Sequence, residues 1–222
     1  MLTAVVAASF LVMDTPQPRY LYLARHAEAN SDESALTDAG RRQAVLLGER
    51  LREVPLAAIH HGPLARTTET ARLVAEQRAD GVQPLASDAA GDYIPYEPTR
   101  EDLVGGGVDA DRYLDFVAQF PPAERAAGAQ LAGRAEKLFT GPVDGSEPRH
   151  ELVVTHNFLG GWIVRAAYDA PAWRWLGINL ANAALTVIRY APGRPSSVLV
   201  FNDMGHLPAE LRWTGLPPES RV

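Results

Sequence analysis

Cysteine is absent from the 222-residue sequence. That removes disulfides, zinc-thiolate sites, iron-sulfur clusters and every mechanism with a cysteine nucleophile, so any covalent step must use another side chain. Lysine is nearly absent as well: Lys137 stands alone beside 20 arginines. A GC-rich coding bias explains that skew, and each arginine has to be judged by its position. Positive charge is in deficit, with 21 basic residues against 27 acidic ones for a formal net charge of −6 and no basic run, which disfavours nucleic acid and anionic membranes as partners. The apolar run at residues 1–13 is too short to span a bilayer and has no basic residue before it, so it reads as neither signal peptide nor anchor. Because Met13-Asp14-Thr15-Pro16 opens a polar stretch, a mis-assigned start with translation beginning at Met13 is expected. Residues 1–17 are then an N-terminal extension, and the protein is expected in the cytoplasm.

The remainder has globular proportions, 46% hydrophobic and 22% charged, and its length suits one domain with an insertion at roughly 150 residues per domain. Tyr20-Leu-Tyr-Leu-Ala24 reads as a buried strand ending in Arg25-His26-Ala27-Glu28. Thr37 is a candidate N-cap, and the apolar spacing behind it predicts a helix over 38–53, ended by Pro55. Leu56-Ala-Ala-Ile59-His-His61 repeats the strand, Gly62-Pro63 breaks it, and helical spacing returns over 64–77. A third strand over 82–86 leads into a proline- and glycine-rich stretch at 87–107, followed by helices over 109–120 and 122–139. Together these make a lid region of about 87–142. Glu151-Leu-Val-Val154 is a further strand with a helix after it over 158–168, and 184–190 and 197–201 alternate as two last strands at one sheet edge. The expected fold is a three-layer α/β domain: a mostly parallel sheet flanked by helices, with a lid insertion.

In such a sheet ligands bind beyond the carboxyl ends of the strands. Arg25 and His26 follow the first strand, His61 and then Arg66 follow the second, and His156 follows the fourth. Arg149-His150 is a second Arg-His pair, but it precedes its strand and belongs at the opposite end of the sheet. Two arginines suit a phosphate monoester dianion as planar, bidentate donors. A neutral imidazole at His26 can attack phosphorus in line, and His156 can stabilise the equatorial oxygens. Because successive strand residues face opposite ways, Arg25 and His26 share a pocket only if the strand stops near Ala24. His60 and His61 read as packing residues, Trp162, Trp173 and Trp175 as core, and Gly105-Gly-Gly107 as a flexible hinge.

Four blocks, Leu23-Ala-Arg25-His26-Ala-Glu28, Leu36-Thr-Asp-Ala-Gly40-Arg-Arg-Gln43-Ala, Pro63-Leu-Ala-Arg66-Thr-Thr-Glu-Thr70-Ala and Val153-Val-Thr-His156, stand in the order found in the histidine phosphatase (phosphoglycerate mutase-like) superfamily, which this sequence resembles. The tail Phe201-Asn-Asp203-Met-Gly205-His206-Leu-Pro208, after the Asn179/Asn182 turn, is similar to the branch containing a mitochondrial serine/threonine protein phosphatase.

The resemblance implies a domain over 18–222 and hydrolysis of phosphomonoesters through a phosphohistidine, with no metal and no cofactor. It implies His26 and His156 as catalytic residues and Arg25, Arg66 and His156 as phosphate ligands, with Asn30 as a further contact. The family's proton donor is usually a Glu after the third strand. Here that segment holds no Glu before Glu97, which makes Asp88 the positional match and Asp92 the runner-up. The substrate is a phosphorylated small molecule or phosphoprotein. A mutase-type phosphotransferase and a non-catalytic phosphoryl-binding module are the alternatives. A metal-dependent hydrolase fits less well, since arginines interleaved with the candidate ligands repel a cation.

Overall fold

The computed structural model describes residues 15–221; the expected start at Met13 and the rest of residues 1–14 lie outside it. The first strand is β1 (Thr15–Gln17), and Pro18 separates it from β2 (Arg19–Arg25). Helix α1 (Asp38–Arg50) starts where Thr37 Oγ1 accepts the Gly40 N–H at 2.9 Å. It is followed by β3 (Leu56–His61), α2 (Ala65–Glu76) and β4 (Pro84–Ala86). A single 3₁₀ turn (Asp88–Ala90) precedes α3 (Arg100–Gly105), α4 (Ala110–Ala118) and α5 (Pro122–Phe139). The chain then runs through β5 (Val143–Gly145), β6 (Arg149–Thr155), α6 (Asn157–Ala167), β7 (Leu185–Tyr190) and β8 (Ser197–Asp203).

Six strands form one sheet in the order β4-β3-β6-β2-β7-β8. The first four are mutually parallel, whereas β7 runs antiparallel to β2 and β8 antiparallel to β7. Alternation along β2 divides the core into two layers. Leu21 and Leu23 pack with Leu159, Ile163, Ala135 and Phe139 of α6 and α5, while Ala24 packs with Leu47, Leu51, Ala71 and Val74 of α1 and α2. The expected three layers are therefore present, with helices on both faces.

One boundary differs from the sequence reading. Thr15–Gln17, assigned to the extension, pair antiparallel with β5, so strand pairing begins before residue 18. The stretch read as a lid insertion packs onto the sheet, with Leu103, Val117, Ala132, Ala135 and Phe139 buried in the same cluster as Leu21, Leu23 and Val153. Within Gly105-Gly-Gly107, Gly106 lies against Trp173, where a Cβ would stand 2.2 Å from the ring. That glycine lets α3 approach the indole.

The topology positions the site through register. Arg25 of β2 is the Cα partner of Thr155 of β6, so the next residue on each of these neighbouring parallel strands is a histidine at the same sheet end. His61, at the end of β3, pairs with Val154 one step earlier.

Candidate active site

Strand β2 extends one residue past the expected stop, to Arg25, and the chain bends there. The carbonyls of Arg25 and His26 converge on one N–H, that of Ala183, at 3.1 and 3.3 Å, which lets adjacent side chains reach one cleft. The backbone at the bend is pinned. His26 N–H donates to the Thr155 carbonyl at 2.8 Å, Asn182 Nδ2 donates to the His26 carbonyl at 2.8 Å, and Ala27 N–H donates to Thr70 Oγ1 of α2 at 3.1 Å.

The His26 ring is oriented by its neighbour's backbone. Nδ1 lies 2.8 Å from the Ala27 carbonyl, an acceptor, so Nδ1 carries the proton and Nε2 the lone pair. Arg66 Nε donates toward that lone pair at 3.3 Å. Burial, the Arg25 charge and then Arg66 depress the imidazole pKa to about 3, against the partial offset of the Ala27 hydrogen bond, so at neutral pH the ring is uncharged. His156 stands beside it with ring centroids 5.1 Å apart. Its pKa is also depressed, by burial and then by His26, Arg66 and Arg25.

Two arginines flank the histidines. Arg66, in the first turn of α2, reaches Asp92 Oδ2 through Nη2 at 2.8 Å and Glu33 Oε2 through Nη1 at 3.2 Å. Arg25 Nη1 donates to the carbonyls of Leu180 and Gly215, both at 2.8 Å. Burial lowers its pKa to about 10, with Asp92 opposing. Arg25 Nε and both ring nitrogens of His156 are buried without a hydrogen-bond partner, and α6 begins directly after His156, its N-terminal amides adding positive potential. These groups line a cleft of about 290 Å³ closed on one side by Gly215, Leu216 and Pro217. Orphaned donors, two guanidinium groups and a helix N-terminus around one imidazole lone pair can hold a tetrahedral dianion against a nucleophile.

Arg25, His26, Arg66 and His156 thus converge as the sequence reading expected. Asp88 does not: the 3₁₀ turn leaves it exposed and outside the cleft lining, and Asp92, four residues later, faces Arg66 and His156 instead. Burial raises the Asp92 pKa, outweighing Arg66, and Glu33 acts in the same direction. Asn30 is also displaced from its expected role. Its side chain accepts from Ala35 N–H at 3.3 Å and donates to Ser34 Oγ at 3.2 Å, closing the turn that carries Glu33. Sequence reasoning missed Glu33 and the Gly215–Pro217 tail; a carboxylate in the turn after the Arg-His pair was the only local sign of the first. Among the described residues no group of three or more His, Cys, Asp or Glu is arranged to hold a metal ion.

Fold and site together define a class: an α/β sheet with two buried histidines in an arginine-lined cleft at the carboxyl ends of its parallel strands. Residues 21–203 match the model of the histidine phosphatase superfamily (branch 1), and the chain belongs to that family. It is 27% identical over 195 residues, 86% of this chain, to the mitochondrial serine/threonine-protein phosphatase Pgam5 of Caenorhabditis elegans, and it spans 64% of that relative's length. Among solved structures it is similar to YhfR of Bacillus stearothermophilus (25% identity, TM-score 0.60, covering 85% of this chain and 98% of that one). The mycobacterial glucosyl-3-phosphoglycerate phosphatase shares the fold (20% identity, TM-score 0.59, covering 84% and 99%). The cytoplasmic location expected from the sequence is corrected by the Pgam5 relatives, which are named as mitochondrial proteins.

Proposed function

We propose that the protein hydrolyses phosphomonoesters through a phosphohistidine on His26, with 18–222 and the paired residues 15–17 as the catalytic unit. The observation that carries this is the fixed tautomer of His26: Nδ1 is committed to the Ala27 carbonyl, and Nε2 turns its lone pair into the cleft between Arg66 and His156. Arg25, Arg66 and His156 bind the phosphoryl oxygens. Nε2 attacks phosphorus as the bond to the ester oxygen breaks, and Asp92, as the acid, gives that oxygen its proton. The resulting carboxylate then takes a proton from water as the hydroxide oxygen attacks the phosphohistidine. Phosphate and neutral His26 are released, and Asp92 is again protonated.

The test is to quench the enzyme with a labelled aryl phosphate. An acid-labile, base-stable phosphoenzyme is expected in the natural sequence and absent in His26→Ala, together with loss of turnover. Substantial activity in His26→Ala would overturn the mechanism.

A further inference from the structure

A second cavity, of about 440 Å³, adjoins the phosphoryl cleft and shares Asp92 and Phe158 with it. Its wall is apolar and aromatic, from Tyr93, Ile94, Phe120 and Leu131 together with Phe158. The Tyr93 hydroxyl is turned away to donate to the Ala89 carbonyl at 2.7 Å, so the ring contributes its apolar body. Phe120 and Phe158 meet edge to face with centroids 6.3 Å apart. The charged side chains in the lining are Asp92 and Glu124, both acidic. Within the phosphoryl cleft, moreover, Arg66 is already paired with Asp92 and Glu33. A second anionic group on a substrate would therefore meet a carboxylate and apolar wall in this cavity, with no cation to pair it.

We propose that this cavity receives the alcohol part of the ester and selects leaving groups that are aromatic or branched apolar and carry no negative charge of their own. The inference rests on the phosphatase reading and extends it to a substrate class. Asp92 forms the wall between cleft and cavity, so an oxygen leaving phosphorus toward the cavity passes the group that protonates it. Burial of an apolar leaving group there contributes binding that a small ester lacks, and Glu124 penalises a carboxylate-bearing one.

Three alkyl esters of closely similar leaving-group basicity separate these effects: ethyl phosphate, 2-phenylethyl phosphate and 2-(4-carboxyphenyl)ethyl phosphate. The full chain is expected to favour the phenylethyl ester over both others by about tenfold or more in kcat/KM, the scale of hydrophobic-pocket discrimination. Leu131→Trp, which fills the cavity, should reduce the phenylethyl-to-ethyl ratio at least several-fold. Glu124→Lys should raise the carboxylated-to-phenylethyl ratio by a similar factor. Each ratio comes from one preparation and does not depend on how much of it is folded. Hydrolysis of all three esters with ratios near one, or ratios indifferent to both substitutions, would overturn the pocket while leaving the phosphatase reading intact. If none is hydrolysed and no phosphoenzyme forms at His26, both fall.

Discussion

Asp92 and Arg66 share a hydrogen bond of 2.8 Å, and the same Asp92 oxygen lies 3.4 Å from His156 Nδ1. The contact favours the charged carboxylate, and against it the desolvation of a side chain still 34% exposed shifts the Asp92 pKa upward. A bound phosphoryl dianion pushes it up further, toward the range where the group can donate. Asp92→Asn is therefore expected to slow alkyl phosphates by about 10²-fold or more, the scale of general acid catalysis. Aryl phosphates, whose phenolate leaves with little protonation, should slow far less. Asp88→Asn should leave both nearly unchanged. Equal losses for both ester types in Asp92→Asn would remove Asp92 from the acid role.

The tail closes the cleft through a glycine. Gly215 has φ +75°, and a Cβ placed there would lie 2.2 Å from Asn182 Oδ1 and 2.8 Å from Arg25 Nη1. Gly215→Ala thus combines a left-handed backbone strain with a clash against the residue that pins the His26 carbonyl. The expected result is a drop in kcat/KM together with a lower thermal midpoint, since the neighbouring Leu216 is buried in a cluster with Ala181, Met204 and Leu211. Arg66→Ala should cost roughly 2 to 4 kcal/mol of transition-state stabilisation, as for loss of one preorganised donor. Arg25→Ala should cost activity and also lower Tm, because Arg25 additionally ties Leu180 and Gly215 together. Steady-state kinetics beside thermal melts separate Arg66→Ala from the other two.

Much of the site was legible because it is carried by strand ends. The apolar runs before Arg25 and His156 announce buried parallel strands, and neighbouring parallel strands deliver their following residues to one edge. Asp92 was legible as a residue type but not as a position. Between Ala86 and Tyr93 the residues are small or polar without a period, and the 3₁₀ turn at Asp88–Ala90 that turns Asp88 outward leaves no mark in that pattern. Asn30 misled because a polar residue near a phosphate site looks like a ligand, whereas here it closes its own turn. The Gly215 contact spans 190 residues, and no local pattern encodes an approach that depends on the whole sheet being assembled.

The pH dependence follows from two shifts of opposite sign. His26 must be neutral to attack, and its pKa of about 3 keeps that form populated at every pH above this value. Asp92 must be protonated at the outset, a form that is present below its raised pKa and lost above it. For alkyl esters kcat/KM should fall as pH rises through the Asp92 ionisation, while for aryl esters that limb should be weak. Profiles of both ester types between pH 4 and 9 check this. An alkyl-ester profile that instead rises through the ordinary histidine range would mean that the nucleophile titrates near its unperturbed value and that burial does not govern it.

Glu33 occupies a donor that a substrate needs. Its Oε2 lies 3.2 Å from Arg66 Nη1, at the tip of a turn where Glu33 itself has φ +58° and where Asn30 ties the turn's two ends. A carboxylate in that place competes with a phosphoryl oxygen, and binding must displace it. Because the Glu33 side chain is 62% exposed, the pair is worth little in water, on the order of 0.2 to 1 kcal/mol for an exposed ion pair. Glu33→Gln should therefore tighten inhibition by vanadate or inorganic phosphate by about two- to fivefold, with the larger factor at low ionic strength, where the pair is least screened. Inhibition constants measured at two salt concentrations decide the matter. If they are unchanged or weaker in Glu33→Gln, the carboxylate supports anion binding and does not compete with it.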